Sequence, residues 1–333
     1  MVLRCLAAAV AAALLLAGCV PTGQEESSAS PSVETQFAIP YTHDPADVTA
    51  HTLDFYPPTP ATSESAPLIV WTGGNGWLED TGGGTGSGVA ALFGPHGYAV
   101  AGVNIRSSAE ATFPGQVEDL RAAIHFLRRN ADRYRIDPDR IGVAGDSSGG
   151  WTALMVALTT PQGDSTPEPV GAALAMYAPV DFLAMDRDLP ANCRPDRPRD
   201  RVSWCQQDAS SSTSRMLGCA LPVCPPALLE SATPSRFVDA DDPPVMLVHG
   251  TLDELVPWQQ STALFDAITA AEGRAELILV PRGSHGQAAQ WAAGGPLVAG
   301  ATLTTTDGGT VTGPAPVTFD GDVLVDFFDR TLG

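Results

Sequence analysis

Residues 141–150 read Ile141-Gly142-Val143-Ala144-Gly145-Asp146-Ser147-Ser148-Gly149-Gly150, and an apolar run opens at Trp151. Residues 141–144 predict a short strand and residues 151–159 an apolar helix. A strand that turns this sharply into a helix strains the residue at its apex and pushes that side chain out above the sheet. The turn closes only if the residues two before and two after the apex lack bulk. For Ser147 those neighbours are Gly145 and Gly149; for Ser148 they are Asp146 and Gly150, and Asp146 would clash. Ser147 is therefore the expected nucleophile, and Ser148 the residue whose backbone N–H faces an oxyanion. A Gly-rich helix cap carrying two serines is the plainer alternative; the flanking strand and helix favour the turn.

Working outward, residues 53–56, 68–71, 98–103, 170–177, 245–248 and 277–280 are short apolar runs that read as strands. Residues 116–129, 259–271 and 323–331 read as helices. Strands alternating with helices predict an α/β fold, a mostly parallel sheet flanked by helices, with chemistry in the loops after the strands. Two stretches break the rhythm. Residues 181–242 are polar and Pro-rich, and read as an insertion over the sheet; residues 294–318 read as a loop or small hairpin. Residues 82–88, Gly-Gly-Gly-Thr-Gly-Ser-Gly, lack the Lys-Ser/Thr of a phosphate loop and read as a flexible rim.

A serine needs a base, itself oriented by an acid. Behind such a turn the acid comes next in the chain and the His last. Downstream of Ser147 the only histidines are His249 and His285. His285 follows the strand 277–280 in a Pro-Arg-Gly-Ser-His-Gly loop and is the expected base; His249 reads as structural. Asp253 is the expected acid, with Asp181 the competitor after an earlier strand. Glu254 would point elsewhere, and Asp146 reads as a modulator of the site. The loop Thr72-Gly73-Gly74-Asn75-Gly76-Trp77, after the strand 68–71, could bring backbone N–H groups to a substrate oxygen alongside Ser148.

Composition narrows the partners. The formal charge is −20 and every basic residue is Arg. Phosphate binding requires a basic face, so nucleic acid is not an expected partner. Residues 1–18 have the layout of a secretory signal, ending in Leu16-Ala17-Gly18-Cys19. That ending resembles a bacterial lipobox, with Cys19 as lipidation site, 19–36 as a polar tether and 37–333 as the folded domain. An ordinary secretory signal is the other reading. On the lipobox reading the chain is exported and held to the outer face of the cell membrane by acyl chains alone. Cys193, Cys205, Cys219 and Cys224 fall within the insertion, where an exported protein favours disulfides. Local bridges are expected, Cys193 with Cys205 and Cys219 with Cys224. Zinc is disfavoured because the cluster holds no His and no Cys-x-x-Cys pair.

Taken in combination, several segments resemble the hormone-sensitive-lipase-like esterases of the α/β-hydrolase fold, and more closely the bacterial feruloyl- and acetyl-esterase-like proteins labelled BD-FAE. They are Leu53-Asp54-Phe55-Tyr56, residues 72–77, Asn104-Ile105-Arg106, residues 113–119, residues 136–141, the Ser147 turn and residues 249–257. The resemblance spans about 45–290 and implies triad roles for Ser147, Asp253 and His285. One departure stands out. The family has His-Gly-Gly-Gly before the Trp, whereas here Thr72 replaces the His, Asn75 the third Gly, and one residue is inserted. Gly74 and Asn75 match the donor positions, though the insertion could shift the pair to Gly73 and Gly74. The implied activity is hydrolysis of carboxylic esters, short-chain or carbohydrate- or aryl-linked, without metal or cofactor. A peptidase of the same fold, or a surface lipoprotein that keeps only the scaffold, are the alternatives. The insertion is expected to shape the pocket as a lid.

Overall fold

Central strands that are apolar along their whole length can only be stable when both faces are covered. That is how this chain uses them. The computed structural model describes residues 33–42, 51–62, 64–79, 82–159, 169–193 and 203–333. The expected signal, Cys19 and the tether up to residue 32 lie outside the described residues. The elements run β1 (Gln36–Pro40), β2 (Thr52–Tyr56), β3 (Ala66–Thr72), α1 (Gly82–Phe93), β4 (Ala99–Val103), α2 (Gly115–Arg129), α3 (Ala131–Tyr134) and β5 (Ile136–Asp146). They continue with α4 (Ser147–Leu158), β6 (Ala172–Met176), α5 (Phe182–Asp188), α6 (Ser212–Leu217), α7 (Pro226–Ser231), β7 (Val245–Gly250) and α8 (Gln259–Ala270). Last come β8 (Ala275–Val280), α9 (Gln287–Ala292), β9 (Val298–Asp307), β10 (Thr310–Phe319) and α10 (Asp322–Leu332).

The strands form one sheet in the order β1-β2-β4-β3-β5-β6-β7-β8-β9-β10. From β4 to β8 every pairing is parallel, while β1, β2, β9 and β10 join antiparallel at the two ends. Alternate residues feed two cores: Leu68, Val70 and Val143 on one face, Ile69, Trp71 and Ala144 on the other. Helices α2, α4 and α8 supply Leu120, Leu154 and Leu264 to the first core; α1 and α10 supply Phe93 and Phe328 to the second. The chain goes from β3 to β4 on one side, then crosses back to β5 on the other. The β3–β5 border is thus a switch point, where strand ends diverge and leave a crevice.

One expectation changes and another narrows to one of its two readings. Residues 82–88 are the first turns of α1, not a flexible rim. A Cβ on Gly82 would fall 1.6 Å from the Val103 carbonyl oxygen, and one on Gly86 2.9 Å from the Gly102 Cα. These glycines let the helix lie directly on β4, and the close packing overrides their weak helix propensity. Of the loop or small hairpin expected over 294–318, the hairpin forms: two ten-residue strands, β9 and β10, that extend the sheet past β8. Strand β1 was not anticipated; it is short and forms one edge of the sheet.

The insertion lies between β6 and β7, carries α5, α6 and α7, and has a small core of its own. Phe182, Met185, Met216 and Leu217 pack there with Trp77 and Trp151. Both expected bridges form, Cys193–Cys205 and Cys219–Cys224. Among the described residues, no helix is long and apolar enough to cross a membrane.

Candidate active site

Strand β5 runs into α4 with no connecting residues, so the chain must reverse direction at Ser147 itself. Ser147 takes φ +50°, a left-handed conformation that side chains rarely adopt. The steric argument from sequence holds in detail. A Cβ on Gly145 would lie 2.4 Å from the Gly149 carbonyl carbon, and one on Gly149 2.1 Å from the Thr72 carbonyl oxygen. The turn is thereby pressed against the end of β3.

His285 arrives from the loop after β8, and Asp253 from the loop after β7. His285 Nε2 is 3.0 Å from Ser147 Oγ, and His285 Nδ1 is 2.7 Å from Asp253 Oδ2. Asp253 is buried, and its other oxygen accepts N–H groups from Leu255 (2.8 Å) and Val256 (2.9 Å). Burial alone would raise its pKa; hydrogen bonds from His249 and His285 outweigh burial and hold the carboxyl well below the usual range. An ionised carboxylate only accepts, so Nδ1 of His285 carries the proton and Nε2 is free to accept from Ser147.

The other candidates fall elsewhere. Asp181 caps α5, accepting from the N–H groups of Leu183 (3.0 Å) and Ala184 (3.2 Å). His249 is fully buried between Ser261 Oγ (2.7 Å) and the Val256 carbonyl (3.0 Å), with Nε2 3.5 Å from Asp253 Oδ2. It therefore buttresses the acid from behind.

Three features were not legible beforehand. The Ser148 side chain is buried, and its Oγ accepts from the N–H groups of Asn75 (3.0 Å), Gly76 (2.9 Å) and Trp77 (3.3 Å). Asp146 Oδ1 accepts from the Gly74 N–H (2.8 Å), and its Oδ2 accepts from the Tyr177 hydroxyl (2.9 Å). Burial pushes the Asp146 carboxyl up in pKa, against both hydrogen bonds, and burial beside Asp146 pushes the Tyr177 phenol well up. Tyr177 also packs against the His285 ring, centroids 4.9 Å apart. Gly74 and Asn75 thus stand at the pocket wall with their N–H groups directed at protein acceptors. The one advance signal was the choice of two polar residues, Asp146 and Ser148, on either side of the nucleophile.

Ser147 and His285 open into a pocket of about 710 Å³, ordinary for a small-molecule site. Trp77, Leu78, Met185, Leu255 and Val256 make its walls mainly apolar, and the insertion contributes Trp204, Gln206, Ser212 and Thr213.

The BD-FAE family model matches residues 53–268. Esterase LipC of Mycobacterium tuberculosis is 23% identical over 74% of this chain and 58% of its own length. The probable carboxylic ester hydrolase LipM of the same organism is 25% identical over 61% of this chain and 45% of its own. The chain thus spans about half the length of these curated relatives. A truncated carbohydrate esterase from gut microbiota is 29% identical in structure-based alignment, TM-score 0.66, covering 77% of this chain and 90% of that one. The fold is that of the α/β-hydrolases, and the chain belongs to the BD-FAE family.

Proposed function

We propose that the protein is a serine-dependent carboxylic ester hydrolase. The carrying observation is the unbroken relay from Ser147 Oγ through His285 to buried Asp253, at the open end of a pocket. Ser147 Oγ attacks the ester carbonyl carbon as its proton passes to His285 Nε2. Asp253 fixes the imidazole tautomer and stabilises the cation so formed. Collapse of the tetrahedral adduct expels the alcohol, which takes the proton from His285. Water then attacks the acyl-enzyme by the same route and restores Ser147. The oxyanion is met by the Ser148 N–H, which lies in the first turn of α4 and has no helical acceptor. Gly74 and Asn75 remain the loop donors, which requires them to exchange Asp146 and Ser148 for the substrate oxygen.

The substrates are small or carbohydrate-linked esters. The names of the relatives and the size of the pocket support this class. A fluorophosphonate probe should label the protein at Ser147, and Ser147→Ala should abolish labelling of folded protein. Labelling that persists in that variant would overturn the assignment. The lipobox-like ending at Cys19 and the two disulfides support export and anchoring through a lipid on Cys19. Metabolic labelling with a palmitate analogue, lost in Cys19→Ala, is the corresponding test; labelling unchanged by that substitution would refute the anchor.

A further inference from the structure

The insertion carries a short strap, residues 203–208, that is fixed far more firmly than a loop over a pocket needs to be. Cys205 at its centre is bridged to Cys193, with Cα atoms 4.6 Å apart. The buried Asp186 carboxylate accepts the backbone N–H groups of Gln206 (2.8 Å) and Gln207 (3.0 Å). Ser203 Oγ donates to Asp208 Oδ2 (2.6 Å), and Thr213 Oγ1 donates to Gln206 Oε1 (2.6 Å). The two residues flanking Cys205, Trp204 and Gln206, both line the pocket. Trp71, Trp77 and Trp151 are buried, whereas Trp204 keeps 38% of its surface exposed. Gln206 Nε2 also donates to the Trp204 carbonyl (3.3 Å), so the amide is spent on holding the strap; an indole held open on a rigid wall, with the Ser212 hydroxyl beside it, suits one kind of ligand. That ligand is a saturated ring with an apolar C–H face and a hydroxylated rim.

We propose that Trp204, with Ser212 beside it, forms the subsite that binds the ring of a cyclic polyol alcohol, and that the Cys193–Cys205 bridge, Asp186 and the Gln206–Thr213 bond preorganise it. This rests on the ester hydrolase reading above. Fixing the wall beforehand removes the ordering cost that a mobile loop would charge against binding. The bridge therefore acts on substrate choice, not on the bond-breaking step.

The test compares kcat and KM for three esters: ethyl acetate, a pyranoside acetylated on one ring hydroxyl, and methyl cinnamate. In Trp204→Ala the ratio of kcat/KM for the acetylated pyranoside to that for ethyl acetate should fall about tenfold or more, carried by KM. Trp204→Phe, which keeps an aromatic plate, should hold the ratio within about threefold of wild type. The double variant Cys193→Ser/Cys205→Ser should lower the ratio in the same direction as Trp204→Ala. If Trp204→Ala fails to fold, Trp204→Leu carries the same comparison. An unchanged ratio, an equal loss on all three esters, or a loss confined to methyl cinnamate each overturns the assignment. Failure of the hydrolase reading itself is distinct: wild type would then turn over none of the three esters and take no fluorophosphonate label.

Discussion

The pocket has two walls built on different principles. On the sheet side, Ser147 follows directly on β5, and Asp253 and His285 lie in short loops after β7 and β8, strands whose places are set by backbone ladders. Thr72 is in register with Gly145, and Gly250 with Val280. On the insertion side, the described residues carry only an isolated bridge between Ser203 and Ser211; a disulfide, a buried carboxylate and hydroxyl caps hold the wall. A ladder shares every position with its neighbours, so a single side chain cannot be re-aimed without disturbing the sheet. A cross-linked strap can be re-faced one residue at a time. On the function proposed above, the comparison assigns reactivity to the rigid ladders and selectivity to the strap.

The sheet wall should break all at once. Ser147→Ala or His285→Ala should lower kcat by about 10⁴-fold or more, because members of such a relay act as a unit. Circular dichroism and thermal melting should show the fold retained, which separates lost chemistry from lost structure. Residual turnover within a hundredfold of wild type would mean that the relay is not the engine. Asp253→Asn comes next, at about 10³- to 10⁴-fold in kcat, since an amide can donate where only an acceptor serves. This variant also carries a pH signature. Asp253 has its pKa lowered on folding, so its ionised form stabilises the protein above the ordinary carboxylate value of about 3.9. That contribution is lost as the pH falls through the lower folded value. The stability gap between wild type and Asp253→Asn, measured by denaturant titration, should therefore persist down to about pH 4 and close below it. A gap that widened on acidification would contradict the assignment.

How much of this was legible in the chain follows from the range of the interactions involved. The elbow was readable because its constraint is local: Gly145 and Gly149 are tied to Ser147 by sterics within five residues. Asp253 and His285 were readable from chain order and strand ends. The acceptors of the N–H groups of loop 72–77 were not, because Asp146 and Ser148 lie more than seventy residues away in every one of those bonds. Helix α1 was hidden by a composition that usually marks a loop. Only the nearness of Gly102 on β4 shows why Gly86 is a contact point. The β9–β10 hairpin did carry a signal, the Gly308-Gly309 turn with positive φ at both residues, flanked by Thr-rich runs.

A smaller effect probes the seam where the sheet wall meets its loop. Ser148→Ala removes the acceptor shared by three backbone N–H groups while leaving the Ser148 N–H itself in place. Leaving these donors, two of them only partly buried, without that partner should cost about 1 kcal/mol of stability. Because the loop then loses its register over Ser147, kcat should fall by roughly tenfold with fluorophosphonate labelling preserved. Preserved labelling distinguishes this serine from the nucleophile beside it. A raised kcat would show instead that the hydroxyl competes with the substrate for the Asn75 N–H, reversing its role.

The smallest expected effect tests whether the strap, and not the insertion as a whole, governs selectivity. Cys219–Cys224 closes a loop with a sequence separation of 5, against 12 for Cys193–Cys205. Cys224 packs with Met216, Leu217 and Leu221 in the insertion's core, and neither Cys219 nor Cys224 lines the pocket. In the chain-entropy account the shorter loop restrains the unfolded chain less, so its loss should cost about 2 kcal/mol or less. Cys219→Ser/Cys224→Ser should therefore lower the thermal midpoint by a few degrees and leave the pyranoside-to-ethyl ratio at its wild-type value. The bridge does adjoin α6, whose first residues Ser212 and Thr213 face the pocket, so the outcome is not trivial. If the ratio fell as far as in the Cys193→Ser/Cys205→Ser variant, selectivity would belong to the whole cross-linked insertion. The two-wall distinction would then survive only as a contrast between sheet and insertion, with no special part for Trp204.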